Sequence, residues 1–208
     1  MMITSVLGLM LGLMGTAAPQ DLPAPVTTTH QVQTADGRTL RYRAEFDELQ
    51  LRDDNGVAQA TISGTSYLLA DTDAAQRPVL FAFNGGPGAS SSPLHFSAMG
   101  PRLIDRDAGG NRILRANPDT LLPLADLVFV DPVGTGFSRV LPAGSGAAYW
   151  SVPGDAAAML RYIRSWLKAH GRERSPVYIA GESYGGRRLA ELAGDAGDLP
   201  LAGVIFIS

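Results

Sequence analysis

The chain contains no cysteine. That excludes disulfide bridges and thiolate metal sites in any compartment, so packing alone must hold the fold together. Lysine is nearly missing too: Lys168 is the single lysine among 17 basic residues, a bias that reads as genome composition rather than function. Basic and acidic side chains, 17 against 20, are spread along the chain and leave a formal net charge of −3. There is no basic field to grip a phosphate backbone, and nucleic acid is not an expected partner. There is no internal repeat and no low-complexity tract. Charged residues make up only 18% of the 208 against 45% hydrophobic, which excludes a disordered tail and suits one domain with a substantial core.

Long apolar runs are also absent, apart from Ile3 to Met14 in "MMITSVLGLMLGLMGTAAPQ". That run is too short to span a bilayer as a helix, and with Thr16, Ala17 and Ala18 behind it residues 1–20 read as a secretory signal peptide. No lysine or arginine precedes the run, so the α-amino group alone supplies the positive end. The expectation is export, periplasmic or secreted, with no stable membrane span.

What is present comes in two textures. Residues 21–78 read as antiparallel hairpins: "HQVQT" and "TLRYRAEF" flank the turn Ala35 to Gly37, and "DDNG" at Asp53 to Gly56 precedes "VAQATISGTSYLLA". Alternating apolar and polar positions bounded by Asp-Gly and Asn-Gly give such strands one wet face. From residue 79 onward short unbroken apolar runs take over, at Val79 to Phe83, Leu127 to Val130, Val177 to Ala180 and Gly203 to Ile207. Strands covered on both faces look like this. Ala156, Met159, Leu160, Ile163 and Leu167 form one stripe of a helix expected over about 155–170, with Gly171 as its stop, and a second helix is expected over about 184–193. The pattern predicts an α/β fold, a mostly parallel sheet with helices on both faces. In such sheets chemistry gathers beyond the carboxyl ends of the strands.

Three of the four apolar runs lead into glycine-containing loops. The last of these, "GESYG" at Gly181 to Gly185, satisfies G-x-S-x-G, in which flanking glycines relieve crowding at a strained strand-to-helix turn that lifts a serine hydroxyl above the sheet. With 24 glycines and 14 serines in the chain, about 0.2 such matches arise by chance, so the strand before and the helix after carry the reading of Ser183 as a nucleophile. The loop "FNGGPGASSS" holds glycines at 85, 86 and 88, which can leave backbone N–H groups free to converge on a developing oxyanion. Neither this loop nor "DPVGTGFS" has the Walker lysine or the third dinucleotide-fold glycine. No cofactor and no metal is expected.

"NGGPGASS", "NPDT…ADLVFVDPVGTGFS" and "VYIAGESYGG", in this order and roughly at this spacing, resemble the serine carboxypeptidase family, especially its bacterial members, over about 79–208 and more loosely back to Thr29. The resemblance implies an α/β-hydrolase fold and hydrolysis of peptides from the carboxyl end through a seryl acyl-enzyme. It implies Ser183 as nucleophile, the Tyr184 and Gly86 N–H groups as oxyanion donors, and Asn84, the Gly85 N–H and Glu182 as contacts to the substrate's terminal carboxylate. An acid beside an anion helps only when protonated, by burial or by a second carboxyl sharing the proton. Family members commonly carry that second glutamate shortly before the Gly-Pro matching Gly100 and Pro101, where this chain has Ala98. An esterase or acyltransferase on the same scaffold is therefore the rival reading. The family's frequent cysteine after NGGPG is replaced by Ala89.

A triad of this fold runs serine, aspartate, histidine along the chain. The three histidines, His30, His95 and His170, all precede Ser183. His95 is the one near enough to be weighed as a base, against a packing role. Asp195 and Asp198 follow the serine too closely to be the family's aspartate. The expectation is an N-terminal half of a hydrolase, residues 79–208, ending on an apolar edge strand shortly after the serine and lacking base and orienter. A non-catalytic scaffold remnant is the other possibility this leaves open.

Overall fold

The computed structural model describes Leu22 and residues 24–208. The expected signal peptide therefore lies outside the described residues. Two hairpins open the fold: β1 (Val26–Gln33), β2 (Thr39–Arg52) and β3 (Ala58–Leu69) pair antiparallel in succession. Their turns are built by aspartates. Asp53 Oδ1 accepts from the N–H groups of Asn55 and Val57, while Gly56 supplies the positive φ of 79° that closes the turn.

β4 (Val79–Phe83) is buried along its whole length. It is followed by a short helical turn over 92–99 and by the antiparallel ribbon β5 (Arg102–Arg106) and β6 (Arg112–Ala116). The ribbon was not legible as strands. Its residues are exposed or half-exposed, so no apolar alternation marks them. Next come β7 (Asp126–Asp131), the two-residue β8 (Arg139–Val140), α1 (Val152–Ala169), β9 (Val177–Glu182), α2 (Tyr184–Gly194) and β10 (Leu201–Ile207).

All strands except the ribbon share one sheet, in the order β1-β2-β3-β7-β4-β9-β10, with β8 paired to β3. β7, β4, β9 and β10 are parallel, and β3 joins them antiparallel to β7. The chain leaves β4 to one side for β7 and returns past it to β9. That reversal opens a crevice at the carboxyl ends of β4 and β9, where α/β sheets place their ligands.

Alternation along β4 divides the core. Val79, Phe81 and Phe83 face α1 and α2, packing with Met159, Ile163, Trp166, Leu167, Leu189 and Leu192. Leu80 and Ala82 face the opposite side with Leu94, Leu122, Leu127, Phe129 and Tyr67. Among the described residues both long helices cover one face, and the other is covered by the 92–99 turn and the loop before β7. At about 1.5–3 kcal/mol for each large apolar side chain buried, this two-sided core is what offsets the absence of cross-links.

Two boundaries differ from the sequence reading for identifiable reasons. α1 starts three residues earlier than expected, because the Ser151 hydroxyl accepts the Gly154 N–H and Pro153 fits the first turn, whose N–H groups lack intrahelical partners anyway. β7 begins at Asp126, a residue too polar for an apolar run. Its carboxylate is buried against Arg77 and Arg172 at 2.8 and 2.7 Å.

Candidate active site

Strand, bend and helix follow one another at residues 177–194 as the motif requires. β9 ends at Glu182, Ser183 sits at φ 55° and ψ −123°, and α2 begins at Tyr184. Positive φ is unfavourable for a residue with a Cβ, and holding Ser183 there costs on the order of 1–3 kcal/mol. Neighbouring backbone enforces it: the Ser183 N–H donates to the Ile207 carbonyl at 2.8 Å, and the Ser183 carbonyl accepts the Gly186 N–H at 2.9 Å. A Cβ on Gly181 would lie 2.4 Å from the Gly185 carbonyl oxygen, so the motif's first glycine is a packing requirement. The Ser183 residue is exposed.

The loop after β4 lies directly against this bend. A Cβ on Gly85 would fall 2.5 Å from both the Tyr184 and Gly185 nitrogens. Gly86 next to it has φ 99°, and among the described residues its N–H enters no backbone hydrogen bond of the turns and loops. Tyr184 is the first residue of α2, where an N–H has no intrahelical partner. The loop after β4 and the first turn of α2 thus meet backbone to backbone beside the serine.

Asn84 and Glu182, which are 98 positions apart, meet here. The buried Asn84 donates from Nδ2 to Glu182 Oε2 at 3.0 Å and accepts the Leu94 N–H on Oδ1 at 3.0 Å. The expected residues Asn84, Gly85, Gly86, Glu182, Ser183 and Tyr184 therefore form one cluster. Beside it opens a cavity of about 290 Å³, walled by Pro87, Gly88, Tyr149, Trp150 and Tyr184.

His95 does not join the cluster's chemistry. It is buried, stacked between Phe96 and Phe129 with ring centroids 3.7 and 4.4 Å away, and its Nε2 bonds the Tyr67 hydroxyl. Burial pushes its pKa down to about 3. His170 stacks on Trp166 and pairs with Glu45, and His30 lies within β1, stacked on Tyr42. All three rings are engaged with partners other than Ser183.

Sequence reasoning missed two residues at the site. Arg188 on α2, 1% exposed, donates through Nε to Asp155 Oδ2 at 2.8 Å, and its Nη2 lies 2.7 Å from the same oxygen. Its Nη1 donates to the Asn84 carbonyl at 2.8 Å. The signal was a pair of opposite charges on the buried stripes of two successive helices.

Residues 67–195, more than half of the chain, match the serine carboxypeptidase family. The chain belongs to the serine carboxypeptidase family. The pheromone-processing carboxypeptidase of Aspergillus clavatus is 37% identical over 121 residues, 57% of this chain and 18% of that protein. The human retinoid-inducible serine carboxypeptidase is 38% identical over 116 residues, 54% of this chain and 24% of that protein. The matched stretch thus spans less than a quarter of either relative. Among solved structures, a peroxisomal α/β-hydrolase of Saccharomyces cerevisiae aligns with TM-score 0.52 at 16% identity, over 79% of this chain and 43% of that one. The rice cell wall degrading esterase of Xanthomonas oryzae gives 0.52 at 17% identity, over 87% and 48%. These likenesses show the fold of this serine carboxypeptidase family member, an α/β-hydrolase sheet with part of its elements.

Proposed function

We propose that this chain carries the nucleophile and oxyanion half of a serine-type carboxypeptidase acting on peptides. The observation that carries the reading is the backbone of Ser183, strained at the end of β9 with the Gly85 loop packed against it. Ser183 Oγ attacks the carbonyl carbon of the terminal peptide bond, and its proton passes to a base. Negative charge on the carbonyl oxygen is met by the Gly86 and Tyr184 N–H groups, each such donor typically worth about 3 kcal/mol in the transition state. The C–N bond breaks as the base returns the proton to the leaving amine, and water then hydrolyses the ester to free Ser183. Asn84 and the Gly85 N–H donate to the terminal carboxylate, and Glu182 joins them only as the acid, whose O–H can donate. The three histidines are engaged with other partners, so this reading gives neither the base nor its orienter to any of them. Residues 21–78 and 79–208 act as parts of one domain. The N-terminal apolar run supports export.

The test is active-site labelling of the full-length gene product with a fluorophosphonate. Label on Ser183, lost in Ser183→Ala, is the expected result, and a folded protein that takes no label sinks the reading in favour of a non-catalytic scaffold. Ala98, in place of the family's second glutamate, favours an esterase or acyltransferase as the second reading. Hydrolysis of an N-blocked dipeptide against its C-terminal amide separates the two, since a carboxypeptidase prefers the free acid.

A further inference from the structure

The buried positions of α2 are Gly185, Arg188, Leu189 and Leu192, so an arginine occupies a place where an apolar side chain would pack. Burying an ion pair gains little stability over a well-packed apolar substitute, because desolvation offsets most of the attraction. Stability is therefore a weak reason for the Arg188–Asp155 pair, and the third bond of the guanidinium is the informative one. Nε and Nη2 face Asp155 while Nη1 donates to the Asn84 carbonyl at 2.8 Å. The guanidinium also lies over the rings of Phe83 and Tyr184, 5.1 and 5.5 Å from their centroids. Only a planar fork of N–H donors reaches a carboxylate and a carbonyl at once.

We infer that Arg188, clamped by Asp155, is a positioning residue that sets the Asn84–Gly85 peptide for recognition of the substrate's terminal carboxylate. This rests on the carboxypeptidase reading above. The peptide group is planar and trans, so fixing its C=O fixes its N–H on the opposite side, away from the guanidinium. A charge-assisted bond at the carbonyl also polarises the peptide and strengthens the Gly85 N–H as a donor. The same anchor steadies Asn84, whose side chain holds Glu182. Arg188 thus ties α1, α2 and the loop after β4 to one function without touching the substrate.

The experiment compares kcat/KM for an N-blocked dipeptide and its C-terminal amide in the full-length gene product, wild type, Arg188→Lys and Arg188→Gln. Taking the ratio within each preparation cancels differences in folded fraction. Lysine keeps the charge but cannot fork. The expected result is a loss at least about tenfold greater for the acid than for the amide, seen mainly in KM, the scale of one charge-assisted hydrogen bond. Equal losses for acid and amide, with the preference of the wild type intact in both variants, would overturn the inference and leave the carboxypeptidase reading standing. A wild type that shows no preference for the acid overturns that reading and the inference with it, and Ser183→Ala then reports whether the serine acts at all.

Discussion

A methyl group on Gly85 tests the contact between the loop after β4 and the bend at Ser183. The new Cβ would lie 2.5 Å from the Tyr184 and Gly185 nitrogens and 2.7 Å from the Glu182 carbonyl oxygen. All three are backbone atoms of an element already pinned by β10 through the Ser183 N–H, so no side chain can swing away. Relief to ordinary van der Waals distance requires the loop and the bend to separate by about 1 Å, a displacement that costs roughly a hundredfold in rate when reacting groups are misplaced by it. Overpacking of this kind also costs about 1–3 kcal/mol of stability. Gly88→Ala is the control: it carries the same added methyl in the same loop, at φ 93°, but meets nothing within 4 Å. Phosphonylation rate and thermal midpoint, measured on both variants of the full-length gene product, should separate them. Gly85→Ala should slow labelling about a hundredfold or more, and Gly88→Ala should show chiefly the backbone strain of a non-glycine at positive φ. A Gly85→Ala protein that labels within twofold of wild type, or a Gly88→Ala protein slowed equally, would refute the idea that loop and bend are in register.

Other outcomes follow from the same geometry. Ser183→Gly should abolish labelling yet raise stability by about 1 kcal/mol, because glycine adopts positive φ without strain; a destabilised variant in a denaturant titration would count against the strained bend. Burial holds the His95 pKa at about 3, below its ordinary 6.5, so between those values the unfolded chain binds a proton that the folded one does not. The neutral ring's contribution is complete above pH 6.5 and is lost as pH falls toward 3, and His95→Gln should flatten that part of a stability-versus-pH curve. Asp155→Ala leaves Arg188 buried without its counter-charge and should cost about 3–5 kcal/mol in chemical denaturation. Asp198→Ala, which breaks an exposed pair with Arg164, should leave the midpoint unmoved.

The serine's setting was legible from local pattern. Four apolar runs matched the parallel strands to within two residues at each end, and "GESYG" announced a bend between a strand and a helix because glycine, strand texture and helical stripe all act over a few neighbouring residues. The aspartate and glycine turns of β1, β2 and β3 were legible for the same reason. The exposed ribbon β5–β6 was not, since without burial no alternation is imposed on its residues.

Sequence by itself determined which segments become strands, where the chain bends at Ser183, and which family the loops belong to. Tertiary structure decided what no local signal contains: that β9 lies beside β4, so that Asn84 reaches Glu182 across 98 positions, and that His95 is sealed between Phe96 and Phe129. It also decided that Arg188 and Asp155, each an ordinary charged residue on its own helix, neutralise one another inside the core. Propensity and periodicity act along the chain over a turn or two. The partners of a buried polar group are set by the order of strands in the sheet, and that order is fixed only when both faces of the core close together.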